Sequence, residues 1–156
     1  MFVGEGPGET EDLEGRPFVG RAGDLLNQAL ARANLDREDV FITNVVKCRP
    51  PGNRNPTTEE MQSCSPYLAR QIATINPELI VLLGKVAAEF FLQRPVKITK
   101  ENGKLDFLTG GTCVMTVLHP AYVLRNQQTE VRESFFRAIQ DARNIAYGNS
   151  DPGLHA

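Results

Sequence analysis

Two loops, far apart in the chain, carry the residue types that could do chemistry. Gly4-Glu5-Gly6-Pro7-Gly8-Glu9 follows the apolar run Met1-Phe2-Val3, and His119-Pro120-Ala121-Tyr122 follows Val114-Met115-Thr116-Val117-Leu118. Each sits where a strand ends, and open α/β sheets bind ligands beyond the carboxyl ends of their strands. Facing one another across a cleft, the two loops would make a two-sided site. His119, one of only two histidines, is either a structural histidine or, opposite the first loop, a functional one. The first loop is crowded by Glu5, Glu9, Glu11, Asp12 and Glu14, which would repel a phosphate. A dinucleotide fingerprint needs a glycine where Glu9 stands, and a Walker motif needs Gly-Lys-Ser/Thr, which is absent. Pro7 also removes a backbone donor from any phosphate cradle. The loop suits a neutral or cationic group, which argues against a generic nucleotide-binding protein.

Other residues fit a site that reads a planar ring, each beside a plainer alternative. Phe18, held between Pro17 and the Gly20-flanked helix start, is either a core anchor or a stacking platform. Asn44 ends a strand although Asn is a poor strand former. Its amide can read the edge of a base or simply bond the adjacent turn. Lys47, Arg49 and Arg54 fall within an acid-free stretch, and Arg125 follows the His119 loop. They form either a local phosphate-binding patch, which an acidic total charge does not forbid, or a solvated loop.

The elements that must position these groups alternate. Leu25, Leu26, Ala29, Leu30 and Ala33 recur with helical spacing, from Ala22 on. Val40–Asn44 predicts a strand, and the proline-rich stretch Arg49–Pro56 a loop. Thr57 and Glu60 form a capping-box pair opening a helix with Met61, Cys64, Leu68, Ile72 and Ile75 inward. Leu79–Leu83 reads as a strand buried on both faces, followed past Gly84 by a short helix through Ala87, Ala88, Phe91 and Leu92. Val96–Leu108 is expected to hold a hairpin turning at Asn102-Gly103. The Cys113–Leu118 strand precedes a helix over Glu130–Tyr147 with Phe135, Ile139, Ala142 and Ala146 inward. Such alternation implies a parallel sheet covered on both faces.

The chain has 156 residues, 41% apolar and 23% charged, with a net charge of −2. That suits one domain over 1–147, with a Gly/Pro/Ser-rich tail over 148–156 that is expected to be frayed and in which His155 is inert. No run approaches the about 18 apolar residues of a membrane span and no secretory leader precedes the first loop, so the expected location is cytoplasmic. Three cysteines do not suit a closed disulfide framework. Cys113 reads as a small buried hydrophobe. Cys48 and Cys64 form no CxxC signature, and two thiolates alone complete no metal site.

Together, Gly4–Glu9, Gly15-Arg16-Pro17-Phe18-Val19-Gly20, Ile42–Pro51 and His119–Asn126 closely resemble the family 4 uracil-DNA glycosylases, the bacterial and archaeal iron–sulfur branch of their superfamily. Asn76-Pro77 and Leu83-Gly84 also fit, so the resemblance covers nearly the whole chain. It implies a three-layer α/β/α fold with a mainly parallel four-stranded sheet, and hydrolysis of the bond between uracil and deoxyribose after the base is flipped out. By the same resemblance His119 donates to uracil O2, Phe18 stacks on the ring, Asn44 pairs with O4 and N3–H, and the Glu5-Gly6 backbone seats the pyrimidine. Glu11 is the first choice to orient water and Glu5 the second, because Pro7 or Gly8 stands where better-known relatives have an aspartate. Val123 and Leu124 would wedge the duplex, with Arg125, Lys47, Arg49 and Arg54 on phosphates.

The resemblance further implies a 4Fe-4S cluster on four cysteines. Cys48 and Cys64 match the second pair, and the first pair would lie upstream of the Gly4 loop, so the chain is expected to lack an N-terminal segment. The expected partner is uracil-containing DNA, single- or double-stranded, bound by a monomer; a replication-clamp contact is left open. A uracil-crosslinking variant would need a histidine in the 49–56 loop, which has none. An impaired remnant that only binds nucleic acid stands as the alternative.

Overall fold

The computed structural model describes residues 1–148; the tail beyond, with His155, lies outside the described residues. Five strands form one sheet: β1 (Phe2–Gly4), β2 (Ile42–Asn44), β3 (Ile80–Leu83), β4 (Lys104–Phe107) and β5 (Cys113–Val117), in the order β2-β1-β3-β5-β4. The first four in spatial order run parallel, which matches the expected four-stranded core. β4 adds an antiparallel edge strand against β5.

That edge strand corrects the expected hairpin. Its turn lies at Leu108–Thr112, where Leu108 N–H donates to Thr112 O and Gly111 N–H to Leu108 O. Asn102-Gly103 instead joins the short helix α5, Ile98–Glu101, to β4. Asn102 is occupied otherwise: its side-chain oxygen accepts from Leu118 N–H and its amide donates to Ser134 O. The Asn-Gly pair read as a turn signal thus ties the end of β5 to a helix.

Helices cover both faces. On one face α2 (Arg21–Arg32), α6 (Pro120–Arg125) and α7 (Thr129–Tyr147) pack Leu25, Leu26, Leu30, Val123, Phe135 and Ile139 against Phe2, Val81 and Val117. On the other, α3 (Thr58–Ile75) and α4 (Lys85–Leu92) pack Leu68, Ala87 and Ala88 against Val3, Ile80, Leu82 and Val114. Alternate residues of the strands thus serve opposite faces, as the two-residue pleat requires. Each fully buried Leu or Ile contributes about 1.5–3 kcal/mol, and all four residues of β3 are buried.

The capping box at Thr57 and Glu60 forms as expected, with both reciprocal hydrogen bonds present. Along α3 only Leu68 is fully buried, and Ile75 is exposed. Met61 and Ile72 pack half-buried against the same cluster as Leu68, as expected, so the inward stripe ends before Ile75. α1 (Glu9–Glu14) was not foreseen, because its six residues bury nothing and leave no periodic signal.

Candidate active site at the carboxyl ends of the strands

β1, β2, β3 and β5 are parallel, so the loops at their carboxyl ends gather on one rim. That rim holds Gly4-Glu5-Gly6 after β1, Asn44 at the end of β2, Gly84 after β3 and His119 after β5. Four segments that are remote in sequence meet there.

Gly4 is the meeting point. A Cβ built on it would lie 2.5 Å from Phe18 Cζ, 2.6 Å from Phe18 Cε2 and 2.7 Å from Asn44 Oδ1. The ring and the amide therefore press on the same bare backbone, and only glycine leaves them room. The Phe18 ring also has its centroid 5.7 Å from that of His119, with the planes tilted by 32°. Phe18 is 5% exposed and has φ of 51°, a left-handed conformation uncommon for a bulky residue.

His119 caps the first turn of α6. Its Nδ1 accepts the Ala121 N–H at 3.0 Å, so the proton of the neutral ring is on Nε2. Burial, and then the Arg125 cation, push the imidazolium down to about 4 from the ordinary 6.5. The ring is neutral at physiological pH and can donate through Nε2. Behind it stands Gly84, φ 98°, where a Cβ would lie 3.0 Å from His119 Cβ and 3.3 Å from Cδ2. Sequence reasoning matched Gly84 to a motif without seeing why; a glycine closing a buried strand was the only signal.

Two depressions open on the rim. One, of about 250 Å³, is lined by Asn44 with Pro7, Glu11, Arg16, Thr43 and Lys47. The other, of about 390 Å³, is lined by His119 with Glu5, Gly84, Lys85, Tyr122 and Arg125. The two candidate carboxylates are thus separated, Glu11 on the Asn44 side and Glu5 on the His119 side. Burial pushes the Glu5 carboxyl above its usual range, since a half-buried carboxylate loses hydration. Asn44 Oδ1 is buried with no hydrogen-bond partner.

The expected DNA-contacting residues divide. Arg125 is exposed on the His119 side. Arg49 Nε donates to Asn53 Oδ1 at 2.7 Å, and Arg54 forms a bidentate pair with Glu60 at 2.6 and 3.3 Å. Lys47 turns inward: its ammonium donates to Thr43 Oγ1 at 2.6 Å, Asn44 O at 2.8 Å and Gln71 Oε1 at 2.8 Å. It buttresses the strand end that carries Asn44 while lining the Asn44-side depression. Val123 requires correction as a wedge: it is 3% exposed within the core. The helical turn that starts at Pro120 puts position 123 on the inner face, while Leu124 is half-buried against the same cluster.

Cys48 and Cys64 line one shallow depression with Val46, Glu59, Glu60 and Ser63. Cys113 lies on β5, where burial raises its thiol pKa. Among the described residues no three His, Cys, Asp or Glu side chains are grouped to hold a metal ion. A tetranuclear cluster takes four thiolates, so the residues present do not by themselves fit one. Among the described residues, no helix is long and apolar enough to cross a membrane.

Comparison with known proteins shows what the chain is similar to. The family described as the uracil DNA glycosylase superfamily matches residues 1–143. A type-4 uracil-DNA glycosylase of Thermotoga maritima is 51% identical over 147 residues, covering 93% of this chain and 76% of the relative. That of Archaeoglobus fulgidus is 48% identical, covering 89% and 74%. That of Saccharolobus solfataricus is 42% identical, covering 98% and 79%.

Proposed function

The chain belongs to the uracil DNA glycosylase superfamily, alongside its type-4 members, and on that premise we propose how its residues excise uracil from DNA. The activity is hydrolysis of the N-glycosidic bond, leaving an abasic site, in the repair of uracil-containing DNA. The observation that carries the residue assignments is the convergence of Phe18 and Asn44 on Gly4, with His119 beside the Phe18 ring.

The base must leave the stack before its glycosidic bond can be reached. Phe18 is proposed to stack on the flipped base, and base–aromatic stacking is worth about 1–3 kcal/mol. Asn44 Oδ1, buried without a partner, takes the uracil N3–H while the amide NH₂ donates to O4. Cytosine reverses that pattern and leaves the buried amide mispaired. Such sites reject a wrong partner by about 10⁴-fold.

As the bond to C1′ breaks, its electron pair moves onto uracil N1 and O2. His119, neutral and protonated on Nε2, donates to O2 and stabilises the departing anion. One such donor is worth about 10²–10³ in rate. A water then forms the new bond to C1′ and releases a proton to a carboxylate. The sugar is attached at N1, next to O2 and across the ring from the edge read by Asn44. The water therefore belongs on the His119 side, which favours Glu5 over Glu11. The raised Glu5 carboxyl suits a base working near neutral pH.

Arg125, exposed beside His119, is proposed to contact a phosphate, and Leu124 to brace the gap left by the base. The protein acts as a monomer and takes single- or double-stranded substrate in the same pocket. The test is release of uracil from DNA of both kinds, scored as abasic sites. Excision that His119→Ala reduces by about 10²–10³ supports the assignment; undiminished excision by that variant overturns it.

A further inference from the structure

Phe18 holds an unfavourable backbone conformation at the centre of the site, and something must keep it there. Left-handed φ in a bulky residue persists only where the surroundings over-determine it. The ring packs within the core cluster, against the bare Gly4 backbone and beside His119, but ring packing leaves the carbonyls of Pro17 and Phe18 to be satisfied elsewhere. The backbone of Phe18 is gripped instead from the other side by Arg37.

Arg37 begins the single 3-10 turn Arg37–Asp39 between α2 and β2. Its Nη1 donates to Phe18 O at 2.5 Å and to Asn27 Oδ1 at 3.2 Å, while Nη2 donates to Pro17 O. One guanidinium fork thus clamps two successive carbonyls, a geometry that a rigid planar donor suits better than a flexible ammonium. The first turn of α2 closes the other side. A Cβ at Gly23 would lie 1.9 Å from Phe18 O and 2.2 Å from its carbonyl carbon, so the helix backbone and the peptide are in direct contact. Arg37 lines neither depression at the rim. It reaches the rim through the Pro17–Phe18 peptide, of which Pro17 lines the Asn44-side depression.

We infer that Arg37 is the positioning residue of base recognition, holding the left-handed Pro17–Phe18 peptide so that the Phe18 ring is presented to the flipped base. This rests on the proposed role of Phe18 as the stacking surface. Without the fork, Phe18 is released from the left-handed region, and its ring withdraws from Gly4 and His119. Base capture and excision then weaken although every group that touches the base is still present.

The test is a double-mutant cycle on the full chain, with single-turnover excision from uracil-containing DNA as readout and inhibition by free uracil as a second. Arg37→Ala is expected to slow excision about 10–100-fold, as a misplacement of the order of 1 Å does, and to weaken inhibition by uracil. Arg37→Lys, which can engage one carbonyl, recovers part of the loss. In a Phe18→Ala background, Arg37→Ala has little further effect, because the ring it positioned is gone. Equal fold-losses in both backgrounds would mean that Arg37 merely supports the fold and would overturn the inference. So would an unchanged rate in Arg37→Ala at a temperature where it is folded. If Arg37→Ala does not fold, the same cycle with Arg37→Lys decides by the same criterion. Failure of the unsubstituted protein to excise uracil would overturn the functional proposal itself, a separate outcome.

Discussion

Gly4→Ala adds one methyl group at the point where the two base-reading side chains meet. The new Cβ would sit 2.5 Å from Phe18 Cζ, 2.6 Å from Cε2 and 2.7 Å from Asn44 Oδ1. Non-bonded carbons rest at about 3.5–4.0 Å, so the ring and the amide must each retreat by about 1 Å. Neither can retreat freely. Phe18 is clamped through its own carbonyl, and the carbonyl of Asn44 accepts from Lys47. Overpacking of this kind costs about 1–3 kcal/mol of stability, and a displacement of about 1 Å in a reacting pair costs about 10²-fold in rate. Gly4→Ala is therefore expected to fold, to melt several degrees lower, and to excise uracil about 10²-fold more slowly in single-turnover assays. Gly20→Ala is the control: its Cβ would meet Glu11 Oε2 at 3.5 Å and Thr10 Cβ at 3.6 Å, ordinary contacts, and its excision rate should be unchanged. Gly4→Ala working at the wild-type rate would refute the convergence of Phe18 and Asn44 on this backbone.

Two further outcomes follow from the titrating groups. His119 titrates near 6.5 when unfolded and at about 4 in the folded protein, so between those values the unfolded chain binds more protons. Its contribution is full above pH 6.5 and is lost as pH falls towards 4, by about 3 kcal/mol for a shift of this size. Urea unfolding at pH 7 and pH 4.5 should show a larger acid loss in the wild type than in His119→Asn, and equal losses would contradict the buried neutral ring. Glu5→Gln should slow single-turnover excision by about 10²-fold or more, the range of a lost general base, while Glu11→Gln slows it far less. The reverse order would move the water-orienting role to Glu11.

Much of this protein was legible in its sequence because the relevant signals are local. Strand and helix alternation, the buried run of β3 and the Thr57–Glu60 cap depend on residues within a few positions of one another. The identities of His119, Asn44 and the Gly4 loop could be read for the same reason, since unusual residues stand at strand ends, and Phe18 stood out between Pro17 and a helix start. Only the tertiary structure decided how these residues are held. The left-handed Phe18, the Arg37 fork reaching back to Pro17 and Phe18, the inward turn of Lys47 and the burial of Val123 are set by packing between elements. Asn102 shows the limit most plainly, since the residue that reads as a hairpin turn bonds Leu118 and Ser134 instead. A side chain's hydrogen bonds go to whatever the fold brings near, and no local pattern records which distant backbone that will be. The residue types on the rim come from the sequence; their convergence on one bare glycine comes from the fold.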